Sequence, residues 1–338
     1  MRSFSYQRAS DPQAALQALA LAAAATTPLT EASTQPLAGG TTLIDLMKLD
    51  VMRPERLVDI NPLAANWSQV DLDGGNLKLG ALAHMSQVAG HAEVQQHYPV
   101  IADSLKLAAS PQLRNMATLG GNVLQRTRCS YFRDVSYAEC NKRNPGSGCA
   151  AMDGFNRMHA VLGTSDQCIA TYPGDFAQAL IALDAAIEIT GKSGPRTMSF
   201  AEFHKAPGDT PAIETVLAPG ELISGFAING RWPRSVYVKV RDRQSYEFAL
   251  ASAAVALDLQ DGVINDARVA LGGVATVPWR AREAEAFLKG QKLDDTLAQH
   301  AADAAFADAR GRQHNAFKIA LGRRVVAHAL KKAVAMEI

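Results

Sequence analysis

The sequence predicts an α+β protein in two domains, and three observations carry that reading. The first 60 residues alternate helical and strand-like segments, as a small α/β unit does. The run "SVYVKVRDRQSYEFALASAAVALDLQDGVINDARVALGGVA", residues 235–275, reads as several antiparallel strands with "QDGVIN" as a hairpin turn. From Ala281 to the end the pattern is helical and rich in Ala, Leu and Lys.

Each element follows from local chemistry. Asp11 and Pro12 form a helix start, with Asp as N-cap and Pro in the first turn. The stretch behind them, "AALQALALAAAATTPL" from Ala14 to Leu29, is too short and alanine-rich to span a bilayer. Its flanks lack the basic region of a signal peptide, so the expectation is a surface helix and no export address in this chain. A short strand around Leu37, a double-glycine turn, the helix "LIDLMK" and the strand "RLVDI" after Pro54 follow. "LKLGALA" from Leu77 predicts a strand, and residues 86 to about 109 helical material. "DFAQALIALDAAIEITG" predicts a helix feeding a strand. The connector "GFAINGRWPR" places the domain boundary between Gly225 and Arg234, giving domains 1–225 and 226–338. The tail "AFKIALGRRVVAHALKKAV" has apolar residues at helical spacing and a basic face, which suits packing on its own sheet or on a partner subunit.

Composition excludes some functions. With 48% hydrophobic and 20% charged residues the chain is an ordinary globular protein, and a net charge of +1 makes no case for nucleic acid or an anionic membrane. The 8 histidines form no metal motif. His159 lies among the cysteines and is expected at the surface or beside a thiolate rather than as a ligand.

The 4 cysteines, Cys129, Cys140, Cys149 and Cys168, all fall in one segment of about residues 125–168, with spacing C-x10-C-x8-C-x18-C. Zinc sites bring close C-x2-4-C pairs, and no spacing here fits. A large apolar core needs no disulfide staples. A four-thiolate iron–sulfur cluster and buried unliganded cysteines stay open on residue chemistry alone. Lys142, Arg143, Gly146 and Gly148 between two of the thiols suit a cluster, because cations offset its charge and glycines let amides approach. "GSGCAA" matches G-x-G-x-x-A but follows Asn-Pro and opens no predicted helix, so it is no Rossmann fingerprint.

Two glycine turns carry the remaining signal. In "LAGGTTLIDLMK" Gly39 and Gly40 can turn backbone amides toward an anion, with Thr41 and Thr42 adding hydroxyls and the following helix its dipole. "MATLGGNV", residues 116–123, is a second turn of that type, and the pair suggests two loops converging on one pyrophosphate-bearing ligand.

These motifs, together with "QLRNMATLGGNV", "ATYPGDFAQALIALDA" and "DARGRQHNAFKIALGRRVVAHAL", come in an order that resembles the FAD-binding (medium) subunit of the xanthine dehydrogenase, or molybdenum hydroxylase, family over nearly the whole chain. The insert "CNKRNPGSGCAAMDGFNRMHAVLGTSDQCIA" looks like the periplasmic aldehyde oxidoreductase branch, which carries an extra [4Fe–4S] cluster. The resemblance implies a two-part FAD-binding domain of the vanillyl-alcohol-oxidase/PCMH type and a smaller α+β C-terminal domain. It implies FAD held by Ala38, Gly39, Gly40, Thr41, Thr42, Leu43 and Ile44, and by Thr118, Gly120, Gly121 and Asn122, with amides of both turns donating. Asp175 would lie near the flavin or its ribityl chain, or cap its helix, or both. Lys239 is either a flavin-side residue or an exposed strand lysine. Cys129, Cys140, Cys149 and Cys168 would ligate the cluster.

The implied function is electron transfer: a large subunit oxidises an aldehyde at a molybdenum cofactor, a small subunit holds [2Fe–2S] clusters, and FAD in this chain serves an external acceptor. No catalytic acid or base is required here. The compartment is expected to be the periplasm, by co-export with a signal-bearing partner, or the cytoplasm. A flavin/[4Fe–4S] subunit of a hydroxybenzoyl-CoA reductase and a non-enzymatic assembly subunit are the alternatives.

Overall fold

A computed structural model describes residues 1–20 and 28–338. Three parallel strands open the chain: β1 (Ser5–Arg8), β2 (Thr34–Leu37) and β3 (Arg56–Asp59), in the order β1-β3-β2. Between β1 and β2 lies the helix Pro12–Leu19, whose N-cap Asp11 accepts a hydrogen bond from the Ala14 amide. The remainder of the expected helix up to Leu29 falls partly on residues 21–27, outside the described residues. The helix Leu43–Lys48 links β2 to β3, so the double-glycine turn sits at the end of a parallel strand.

A five-stranded antiparallel sheet follows, built from β4 (Val70–Asp73), β5 (Asn76–Gly80), β6 (Ala186–Gly191), β7 (Gly194–Ser199) and β8 (Leu222–Ile228), in the order β4-β5-β8-β6-β7. Its inner face packs Leu77, Leu79, Ile187, Phe226 and Ile228 against helices that supply Val88, Ile101, Leu105, Phe176 and Leu180. The helical stretch beyond residue 85 is broken into Met85–Gly90, Ala92–His97 and Pro99–Leu107. His91 adopts an extended backbone, and Pro99 has no amide proton to continue the preceding helix. Gly225, at one end of the expected boundary, lies within β8 and pairs with Gly80, so the chain leaves this sheet only after Ile228.

The last part is a four-stranded antiparallel sheet, β9 (Ser235–Val240), β10 (Ala251–Gln260), β11 (Val263–Gly272) and β12 (Trp279–Arg280), in the order β12-β11-β10-β9. The expected hairpin joins β10 and β11, with Asp261 and Gly262 at φ +54° and +77°. Positive φ at both central residues matches the right-handed twist of the strands. One face is covered by Arg282–Leu288, Asp295–Ala304 and Phe317–Val334, and the last helix buries Val325, Val326, Ala329, Leu330 and Ala333 on the sheet. Its apolar stripe is therefore spent inside the chain. Among the described residues no helix is long and apolar enough to cross a membrane.

Candidate functional site

The two glycine turns meet. A cleft of about 290 Å³ opens between the small parallel sheet and the larger antiparallel sheet, lined by Ala38, Gly39, Gly40, Thr41, Thr42 and Leu43 on one side and Thr118, Gly120 and Gly121 on the other. A Cβ built on Gly39 would stand 1.9 Å from the Met116 carbonyl oxygen, so the first turn lies directly on the segment that leads into the second. Gly40 has φ +71°, a left-handed conformation that L side chains resist.

The turns differ in what they offer a ligand. Among the described residues no acceptor takes the amide protons of Gly39, Gly40, Thr41, Thr42 or Leu43, and Thr42 makes no side-chain cap. Consecutive free donors at a strand–helix turn suit a pyrophosphate. The second turn uses its amides internally. Leu119 donates to Ala83, Gly120 to Ala81, Gly121 to Thr118 Oγ1 and Asn122 to the Thr118 carbonyl. In this structure the amides of the second turn are engaged within the chain, and the turn lines the cleft with Thr118, Gly120 and Gly121.

Several expected positions stand elsewhere. Ile44 is outside the cleft lining and faces Gly40, 3.1 Å from where its Cβ would be. Asn122 also lies outside the lining, with its side-chain amide 3.4 Å from Met85 Sδ. Asp175 does not cap its helix. Its carboxylate accepts from Lys239 Nζ at 2.7 Å and from the Tyr237 hydroxyl at 2.7 Å. Lys239 is no exposed strand lysine: its side chain is 1% accessible, against 4% for Asp175, and it also donates to the Leu107 carbonyl. Neither residue lines the cleft. They pin β9 of the C-terminal domain to the helix Phe176–Ala182 and to the end of Pro99–Leu107. Sequence order hides this pair, because its members come from different domains.

The cysteine segment folds as a compact loop against three neighbours. Toward the parallel sheet, Asp45 of the helix Leu43–Lys48 accepts ion pairs from Arg128 at 3.1 Å and Arg133 at 2.9 Å. Burial pushes the Asp45 carboxyl up, but both guanidiniums outweigh it and hold it below the usual range. Toward the C-terminal domain, Arg157 pairs with Asp242 at 2.7 Å, and Lys318 donates to the carbonyls of Met158 and His159. Lys318 is fully buried, and burial lowers its pKa to about 7. Toward residues 205–215, Lys142 pairs with Glu214 at 2.9 Å.

Cys129, Cys140, Cys149 and Cys168 line one small hollow with a cavity volume of about 10 Å³, walled by Phe132, Ala151 and Ala170. All four are free thiols. Cys140 and Cys149 face each other across an isolated antiparallel bridge, and the Ala170 amide lies 3.4 Å from Cys168 Sγ. Among the described residues no group of three His, Cys, Asp or Glu side chains is placed to hold one metal ion. Four soft thiols around one hollow are a donor set that fits an iron–sulfur cluster. Burial, with Cys140 and Cys168 alongside, pushes the Cys129 thiol up to about 12. His159 is buried with Nε2 3.1 Å from Cys129 Sγ, so the surface reading fails and the thiol-side reading holds. Burial, then Lys318, lowers its pKa to about 4, so it stands as a neutral ring. Arg143 does not reach the thiols. It is buried and donates to the carbonyls of Tyr131, Phe132 and Tyr137, bracing the loop that carries Cys140.

Sequence reasoning missed Arg126 and Glu214, which both line the glycine cleft. Arg126 Nε lies 2.5 Å from Glu214 Oε2. Burial pushes the Glu214 carboxyl up, while Arg126 and Lys142 pull it down further and keep it ionised. No local motif marks these residues, since the contact joins positions far apart in the chain.

A glycine-turn cleft between two sheet lobes, with free amides along one wall, fits a pyrophosphate-bearing cofactor. The family model described as "FAD binding domain in molybdopterin dehydrogenase" matches residues 2–228, and "CO dehydrogenase flavoprotein C-terminal domain" matches residues 236–334. The chain belongs to the FAD-binding medium subunits of the molybdenum hydroxylase family. It is 44% identical over 338 residues to the aldehyde oxidoreductase FAD-binding subunit PaoB of Escherichia coli (strain K12), covering 98% of this chain and 99% of that one. The carbon monoxide dehydrogenase medium chain of Afipia carboxidovorans is 29% identical over 296 residues, covering 86% of this chain and 82% of its own length. The crystal structure of a Cu,Mo-CO dehydrogenase superposes with a TM-score of 0.75 at 25% identity, covering 99% of this chain and 98% of that chain. The chain is an oxidoreductase subunit with an FAD-binding domain.

Proposed function

We propose that the chain is the FAD and [4Fe–4S] electron-transfer subunit of a three-subunit, molybdenum-dependent aldehyde oxidoreductase. A small [2Fe–2S] subunit and a large molybdenum-cofactor subunit are its partners, and it delivers electrons to an external acceptor. The aldehyde assignment rests on whole-length similarity to the aldehyde oxidoreductase subunit. The observation that carries the cluster is the convergence of every cysteine on one enclosed cavity beside the flavin cleft.

FAD, when bound, supplies two-electron redox chemistry that exchanges with one-electron carriers. This chain's residues hold and shield it. The free amides of Gly39 to Leu43 receive the pyrophosphate, and Gly120 and Gly121 let the opposite wall approach. Cys129, Cys140, Cys149 and Cys168 would hold the cluster, with Phe132, Ala151 and Ala170 as apolar walls beside it.

Iron and acid-labile sulfide analysis tests the cluster. The purified complex is expected to hold about four irons in this chain, and Cys149→Ser to remove most of them, because no other thiol can replace it. One zinc per chain, or a full iron complement in Cys149→Ser, would overturn the assignment. Separately, this subunit alone is expected to show no turnover with aromatic or aliphatic aldehydes in a dye-reduction assay. Turnover by the isolated chain would place the substrate site here and end the three-subunit reading.

A further inference from the structure

Between the flavin cleft and the cysteine cavity lies a chain of three charges, Arg126 buried and Lys142 and Glu214 half-buried. Arg126 lines the cleft and is 6% accessible. Among the described residues its Nη2 has no hydrogen-bond partner, and its guanidinium carbon stands 4.8 Å from the centre of the Phe132 ring. Phe132 is itself a wall of the cysteine cavity. Glu214 takes Arg126 on one carboxylate oxygen at 2.5 Å and Lys142 on the other at 2.9 Å. Lys142 also donates to the Pro211 carbonyl, lines the cysteine cavity, and shares a second small hollow with Glu214 and Cys168. One carboxylate thus joins a cation facing the flavin to a cation facing the thiols.

We propose that Arg126, Glu214 and Lys142 act as a fixed electrostatic link between the flavin cleft and the cysteine cavity. Two cations and one anion leave a net charge of +1 on the three side chains, in a region where solvent screens poorly. Reduction adds negative charge to whatever occupies either site. The surplus cation favours that reduction on both sides, and removing a charge at one end changes the field at the other. Lys142 is the informative position, because it lines the thiol cavity and not the flavin cleft. The three are positioning residues and carry no step of the chemistry. The link to the cysteine side rests on the cluster assignment, whereas the link from Lys142 to the flavin does not.

The test uses the assembled complex with its cofactors. Flavin reduction potential is read by spectroelectrochemical titration, the cluster by EPR, and iron by direct analysis. Lys142→Gln is expected to lower the flavin potential although, among the described residues, Glu214 is the one cleft residue to which the Lys142 ammonium donates. Glu214→Gln, nearly isosteric, is expected to raise it, and Lys142→Arg to restore it. The cluster signal should titrate in the same directions. An unmoved flavin potential in both Gln variants, with FAD and iron retained, would overturn the proposal, as would a shift of the same sign in both. If the wild-type complex holds no iron in this chain, the cluster assignment fails, and the opposite flavin shifts still decide the link. Loss of FAD from Lys142→Gln with the fold and iron intact would support it, since no cleft-lining atom is removed.

Discussion

Lys239→Met is expected to destabilise the chain by about 3–5 kcal/mol, the usual cost of breaking a buried ion pair from one side. Asp175 would keep the Tyr237 hydroxyl at 2.7 Å but lose the Lys239 ammonium, at a site where its side chain is 4% accessible. A surface lysine would cost less than about 1 kcal/mol, so the size of the loss separates the two placements of Lys239. Denaturant unfolding of the purified subunit measures it. The double replacement Asp175→Asn with Lys239→Met should recover much of the loss, because no buried charge is left unpaired. A double variant less stable than the single would show that the pair is not the cause. The effect is expected as a loosening between the two domains, since the pair joins β9 to the helices Phe176–Ala182 and Pro99–Leu107.

Gly39→Ala is expected to yield a folded subunit that has lost most of its affinity for FAD. The new Cβ would lie 1.9 Å from the Met116 carbonyl oxygen and 2.7 Å from its carbon, both backbone atoms that have no rotamer to give way. Overpacking of this kind costs about 1–3 kcal/mol, which corresponds to roughly 5- to 150-fold in binding if it separates the two walls of the cleft. Gly40→Val should act by a different route. Its φ of +71° is strained for any β-branched side chain, and Ile44 and Leu37 stand 3.1 and 3.3 Å from the added Cβ. Flavin absorbance per chain after gel filtration, followed by FAD titration of the apo subunit, measures both. Wild-type occupancy in Gly39→Ala would show that the turn can retreat from Met116 and that the cleft does not depend on their contact.

How far these sites could be read without coordinates depended on how local their physics is. The first glycine turn was legible because strand, turn and helix are adjacent in the chain, and its free amides follow from that geometry. The second turn looks alike in letters. Only the pairing of Leu119 with Ala83 and Gly120 with Ala81 shows that its amides are already used. Asp175 read as a helix cap by position, and a cap is what a local rule gives an Asp before a helix. The carboxylate turns instead to a lysine from another domain, which desolvates both and gives each its partner.

Legible in the letters alone were the α+β class, the order of most elements, the hairpin at Asp261–Gly262 and the confinement of every thiol to one segment. Each rests on periodicity, turn chemistry or a count, which survive without knowledge of long-range contacts. Tertiary structure alone decided that the four thiols surround one cavity, that Lys239 and Lys318 are buried, and that Arg126, Glu214 and Lys142 stand between the two sites. Those facts depend on which distant segments fill each other's space, and burial of charge is set by neighbours that local sequence does not name.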